Sequence, residues 1–139
     1  MSTKAFILLR GLPGSGKTTT STFLKKLLEA NGKAYVVCSA DDFFIGEDGA
    51  YNYDKNKLPA AHEQCYKHFQ EAVESSIPTV VLDNTNTMTS EFDKYIKLAH
   101  EHKYKTHSLV CENRHEGKSL HNVPDYAIER MKARFDLKL

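Results

Sequence analysis

The chain has 139 residues, of which 40% are hydrophobic and 27% charged, and its net charge is +1. That is the composition of one ordinary globular domain, 1–139, with enough chain to bury a core. It excludes broad, nonspecific capture of long nucleic acid, which needs many phosphate contacts.

No run approaches the ~18 apolar residues of a membrane span, and the first residues carry no signal-peptide pattern. Cys38, Cys65 and Cys111 are odd in number and widely spaced, so they read as reduced thiols. A cytoplasmic protein with no membrane association is expected.

The apolar run Lys4–Arg10 predicts a buried strand. It leads into Gly11-Leu12-Pro13-Gly14-Ser15-Gly16-Lys17-Thr18, which matches G-x-x-x-x-G-K-[ST] at every fixed position. Phe23, Leu24, Leu27 and Leu28 then recur at helical spacing, and Asn31-Gly32 supplies a stop. Ala34–Cys38 predicts a second strand, and 41–59 reads as a loop. A helix after Pro59 is marked by Ala61, Cys65, Phe69, Ala72, Val73 and Ser76. Thr79–Leu82 predicts a third strand. Ser90 with Asp93 resembles a capping box for a helix carrying Phe92, Tyr95, Ile96 and Ala99. Thr106–Cys111 predicts a fourth strand, and the polar segment 113–122 a small lid. Pro124 opens a last helix with Ile128, Met131 and Phe135 inward.

Strands alternating with helices predict an α/β fold: a mostly parallel sheet of four to five strands with helices on both faces, in three layers. Ligands of such sheets sit beyond the carboxyl ends of the strands. The glycine-rich loop is expected to cradle phosphates, with Gly11, Pro13, Gly14, Ser15, Gly16 and Thr19 lining it. Lys17 supplies a cation, and the Thr18 hydroxyl is a ligand for Mg²⁺. Asp83 ends strand three and is expected to join Thr18 at the metal. Asp41 and Asp42 follow strand two, where phosphoryl transfer needs a carboxylate to orient a hydroxyl and take its proton; Asp41 is the candidate base. Thr85 and Asn86 are candidate acceptor contacts. Arg114 and Lys118 are candidate cations for the transferred phosphoryl group.

These segments, in this order and spacing, resemble phage-type polynucleotide 5′-kinase domains. They also resemble the related P-loop domains of ubiquitin-ligase-binding proteins and of the myelin cyclic-nucleotide phosphodiesterase. The resemblance rests on the phosphate loop, Ser39-Ala40-Asp41-Asp42, Leu82-Asp83-Asn84-Thr85-Asn86, and Arg114 ahead of Val123-Pro124. It implies an adenylate-kinase-like fold and transfer of the γ-phosphate of ATP, or another nucleoside triphosphate, to a 5′-hydroxyl end of DNA or RNA. Asp41 then matches the family's general base and Arg114 a lid arginine. Lys118 stands where the phage enzyme has a second lid arginine, and Phe44 where it has an arginine that grips the acceptor strand. Two alternatives stay open: a kinase of a small hydroxyl compound such as a nucleoside or nucleotide, and a nucleotide-binding module without efficient transfer.

Overall fold

The computed structural model describes residues 3–117 and 123–138. Four parallel strands build its sheet: β1 (Ala5–Gly11), β2 (Tyr35–Cys38), β3 (Thr79–Asp83) and β4 (Lys105–Cys111). Their order is β2-β3-β1-β4. Parallel neighbours need a crossover, and helices supply it: α1 (Lys17–Asn31), α2 (Leu58–Glu74), α3 (Thr89–Glu101) and α4 (Asp125–Ala133).

Strand alternation sorts the core. Phe6 and Leu8 of β1, Val80 and Leu82 of β3, and Cys38 of β2 pack with Phe69 of α2 and Tyr95 of α3. Phe69 is fully buried; its ring sits edge-on to Phe6 at 4.9 Å and to Tyr95 at 5.0 Å. Burying such a side chain contributes roughly 1.5–3 kcal/mol, and truncating it to alanine costs more because a cavity is left. The other sheet face meets α1, which contacts β1. That side is thinly covered. Only Ser21 of α1 is buried, whereas Phe23 and Leu27 are 65% and 56% exposed. With Leu24 of the same helix and Leu109 of the edge strand β4 they line a shallow apolar hollow of about 370 Å³. The apolar spacing of α1 was legible; its exposure was not.

Several boundaries differ from the sequence expectations. The segment after β2 is not all loop, since 3₁₀ turns form at Ala40–Phe44 and Lys55–Lys57. Ser76 falls beyond α2 and has φ 56°. The start of α3 is held by Glu91 rather than by Ser90 and Asp93: its carboxylate accepts from Thr87 N at 3.2 Å and Thr87 Oγ1 at 2.8 Å. Glu91 wins because it reaches back over the first turn, where the helix dipole favours negative charge. Phe135 lies past the end of α4, in the tail that follows it.

Register fixes the relation between strand ends. Leu9 of β1 stands beside Asp83, and Cys38 of β2 stands beside Leu82. The loops after β1, β2 and β3 therefore emerge side by side at one edge of the sheet.

Candidate functional site

The loop after β1 is shaped by its glycines. Gly14 and Gly16 have φ of 83° and 92°, a left-handed region that glycine enters without steric cost. Gly16 is also the N-cap of α1 and brings no side-chain cap. A helix start without a cap leaves N–H groups and the positive end of the helix dipole to meet an anion. Ser15 Oγ in the same loop is buried with no hydrogen-bond partner among the described residues. The loop's own closure uses other groups: Gly11 N donates to Thr85 O at 3.1 Å and Ser15 N to Leu12 O at 3.0 Å. Pro13 is half-buried behind it, and Thr18 and Thr19 stand exposed on the first turn of α1.

Lys17 reaches across the β1–β3 seam to Asp83, with Nζ and Oδ1 2.5 Å apart. Thr18 offers a hydroxyl and Asp83 a carboxylate, hard oxygen donors of the kind that suit Mg²⁺ with waters and phosphate oxygens filling the remaining positions.

The third loop carries Asp41. Ser39 opens the 3₁₀ turn at Ala40–Phe44 by accepting from Asp41 N at 3.2 Å. Ala40 N donates to Asn84 Oδ1 at 2.9 Å, which ties this turn to the end of β3. The Asp41 side chain is exposed and accepts from Tyr51 Oη at 3.3 Å. Burial and the neighbouring Asp41 carboxylate push the Tyr51 phenol up to about 12, so it stays a donor at neutral pH. Burial likewise raises the Asp42 carboxyl, opposed by His68 and Lys25. Burial lowers the His62 imidazole, against the pull of Glu91 and Asp41. Around Phe44, the rings of Phe43, Tyr51 and Tyr53 pack edge-on at 5.3, 6.2 and 5.2 Å. Beside them lies a cavity of about 230 Å³ with Phe43, Phe44, Ile45, Asn52, Asp54 and Lys57 in its wall.

Phosphate loop, β3 carboxylate and β2 turn, all on one parallel sheet edge, define a P-loop arrangement, and comparison with known proteins identifies its family. The family model for an AAA domain, AAA_33, matches residues 6–137. The chain belongs to this AAA domain family. Human NEDD4-binding protein 2 is 40% identical over 99 residues, covering 71% of this chain and 5% of that protein. The chain thus spans a small fraction of that relative's length. Among solved structures, Chaetomium thermophilum Kti12 in complex with ADP-AlF3 aligns with a TM-score of 0.61 at 19% identity, covering 95% of this chain and 80% of that one. The Mycobacterium tuberculosis APS kinase CysC in complex with AMPPNP and APS aligns at 0.56 with 13% identity, covering 94% and 69%. The fold of this AAA domain is therefore P-loop kinase-like.

Within the AAA domain, Lys17, Thr18, Asp83 and Asp41 come from three adjacent strand ends, as the sequence order anticipates. Other candidates lie elsewhere. Asn86, expected at an acceptor, is 2% exposed, and its Nδ2 donates to Leu9 O at 2.9 Å and Asn84 O at 3.2 Å. Its amide is committed to shaping the loop at a left-handed φ of 48°. Thr85 is half-buried beside it and gives its carbonyl to Gly11 N. Phe44 is 5% exposed and belongs to the core, so its ring is not a free face open to solvent. Arg114 lies in a turn rather than a helix, is highly exposed, and pairs with Glu112 at 3.1 Å. Lys118 lies outside the described residues, as does the rest of the second half of the expected lid, 118–122.

Two residues passed unread in the sequence. Asn84 was named only as part of the segment after β3, yet its side chain accepts from Ala40 N, linking the Asp41 turn to the end of β3, and donates to Cys65 Sγ at 3.7 Å. Arg10 looked like the polar end of a strand, yet it is 4% exposed. Its guanidinium donates to Asn86 O at 2.7 Å, to Thr87 O at 3.1 Å and to Asp136 O, between the rings of Phe92 and Phe135. A cation closing a run of buried strand residues was the available signal. No helix among the described residues is long and apolar enough to cross a membrane.

Proposed function

We propose that this chain is a Mg²⁺- and ATP-dependent kinase domain that transfers the γ-phosphate to the 5′-hydroxyl of a polynucleotide end. The observation that carries this reading is the placing of Asp41 two loops away from Lys17 on the same sheet edge, with Asp83 between them. The order β2-β3-β1 and the register Cys38–Leu82 and Leu9–Asp83 set that spacing. A module built only to hold a nucleotide has no use for an exposed carboxylate on the far side of the cleft.

In this reading the Gly11–Thr18 loop and the α1 N-terminus bind the triphosphate, and Lys17 exchanges Asp83 for phosphate oxygens. Thr18 and Asp83 hold Mg²⁺, which neutralises charge on the phosphates when bound. Asp41 orients the acceptor hydroxyl and accepts its proton, while Tyr51 fixes the carboxylate by its hydrogen bond. Asp42 and Thr85 flank the acceptor. Arg114 leaves Glu112, a surface partner worth little, to meet the transferred group.

The polynucleotide acceptor rests on the likeness of the Asp41–Asp42 and Asp83–Asn86 segments to 5′-kinase domains. A smaller acceptor, a nucleoside or nucleotide, is the second reading. The cavity of about 230 Å³ walled by Phe43 and Ile45 favours it, because such a volume takes one heterocycle.

The test is transfer of label from ATP across an acceptor panel of 5′-hydroxyl RNA and DNA oligonucleotides, nucleosides and nucleotides. Labelled oligonucleotide ends are the expected result. Label on nucleosides or nucleotides alone would move the assignment to the second reading. Tight ATP binding with no transfer to any acceptor would leave a non-catalytic nucleotide-binding module.

A further inference from the structure

The turn after β4 packs directly on the phosphate loop, and it is held firmly. Asn113 closes it from both sides: Nδ2 donates to Gly117 O at 3.0 Å, and Gly117 N donates to Asn113 Oδ1 at 2.7 Å. Glu116 N adds a bond to Asn113 O at 3.2 Å. Asn113 and Glu116 both sit at left-handed φ, 56° and 58°, a region that non-glycine residues enter at a cost and that clusters at functional sites. Gly117 is required by close approach, since a Cβ there would stand 2.8 Å from Gly14 O.

Between turn and loop lies the ring of His115. A Cβ on Gly16 would come within 2.7 Å of His115 Cε1, and the ring also fills the space beside Gly117. An amide clamp, two strained residues and two glycines thus converge to hold one imidazole over the uncapped start of α1. Next to it, Ser15 Oγ is buried without a partner among the described residues. The His115 residue is nonetheless exposed, so the turn presents its ring at the surface beside the loop rather than burying it as packing. An imidazole in either tautomer keeps one N–H donor, and the imidazolium keeps two.

We propose that His115 is a phosphate-binding residue: its ring N–H donates to the phosphates held by the Gly11–Thr18 loop. This rests on the nucleotide-site reading above and adds to it a donor from outside the loop motif. His115 then closes the anion cradle from the β4 side, opposite Lys17, and makes the cradle depend on the fold of a second segment.

The experiment compares the full chain with His115→Phe, which keeps a flat ring but no donor, and His115→Gln, which keeps a donor. Lys17→Ala serves as the reference. A bound fluorescent ADP analogue is displaced by ATP and, separately, by inorganic tripolyphosphate, and melting temperatures are recorded for all four proteins. The expected result is a loss of about tenfold in affinity for both displacers in His115→Phe, recovery to within about threefold in His115→Gln, and little change in melting temperature. Full affinity for both displacers in His115→Phe, with binding lost in Lys17→Ala, would overturn the His115 assignment and leave the nucleotide site standing. Weaker ATP with unchanged tripolyphosphate would also overturn it, by placing the ring on the nucleoside. Unchanged binding in Lys17→Ala would instead bring down the nucleotide-site reading itself.

Discussion

Lys17 Nζ lies 2.5 Å from Asp83 Oδ1, and each of the two side chains keeps only 15% of its surface exposed. The cation that the phosphate loop would offer to a nucleotide is therefore already neutralised by the carboxylate of the neighbouring strand. Bound phosphates compete for that ammonium, and Asp83 is released only when they win. If the released carboxylate then serves Mg²⁺, the two roles of Asp83 have opposite signs. In EDTA, Asp83→Asn should bind ATP at least as well as wild type, because Lys17 has lost its competitor. With Mg²⁺ added, wild type should gain affinity and the variant little. Paired titrations with and without the metal check this; an equal Mg²⁺ gain in both proteins would remove Asp83 from the metal site.

Asp41 and Tyr51 form the second testable pair, joined by a 3.3 Å hydrogen bond. A general base contributes about 10²–10⁴ in rate, so Asp41→Asn should slow single-turnover transfer by that much while the Kd for ATP stays within about twofold. Tyr51→Phe keeps the ring against Phe44 and removes only the donor, for a loss of roughly three- to tenfold in the same step. Wild-type turnover in Asp41→Asn would assign the base elsewhere, with Asp42 the next residue to replace.

The element sequence and the phosphate loop were legible because their signals are local. Apolar runs of period two or 3.6 and a glycine-rich octet need no partner to be recognised. Asp83 was legible by its place at the end of an apolar run. What escaped depends on contacts distant in sequence. Asn84 cannot be told from Thr85 or Asn86 by composition, since all three favour turns; only the bond from Ala40 N separates it. Asn86, a candidate acceptor contact, turns its amide onto Leu9 O, 77 residues away, a bond no local pattern shows. Arg114, a candidate cation for the transferred group, pairs with Glu112 in a turn shaped by Asn113 and Glu116 at left-handed φ. The same two residues place His115, which no spacing rule picks out.

Arg10 and Phe135 show how the chain's last described segment reaches the site. The guanidinium lies 4.6 Å from the Phe135 ring and donates to Asp136 O as well as to Asn86 O and Thr87 O, so one buried cation pins the tail after α4 to the loop after β3. Arg10→Met would take the donor from Asn86 O and from the part-buried Asp136 O, while Thr87 O keeps Asp136 N, and should destabilise the fold by about 3 kcal/mol. Arg10→Lys should recover little of this, because an ammonium cannot span the fork or stack between two rings. Phe135→Leu alone should cost about 1 kcal/mol. The double variant should then fall short of the sum by about 1 kcal/mol, the coupling expected of residues in contact. Urea unfolding of the four proteins measures it, and strict additivity would mean that the stacking contributes nothing.

Asp42 gives a pH test whose sign follows from its surroundings. Burial raises its carboxyl above the usual aspartate range; Asp41 and Asp83 push the same way, and His68 and Lys25 oppose them. A folded-state value above the unfolded one means that the native chain holds the proton more tightly than the unfolded chain. The ionised carboxylate therefore destabilises the fold at neutral pH, and that penalty fades as pH falls through the raised folded value toward the ordinary ~3.9. Asp42→Asn removes the titration while keeping the shape. Its melting temperature should exceed that of wild type at pH 7, and the gap should narrow at pH 4. Thermal melts at both values decide the matter. A gap of equal size at the two values would trace the gain to packing or hydrogen bonding, and the desolvated carboxylate would not be its source.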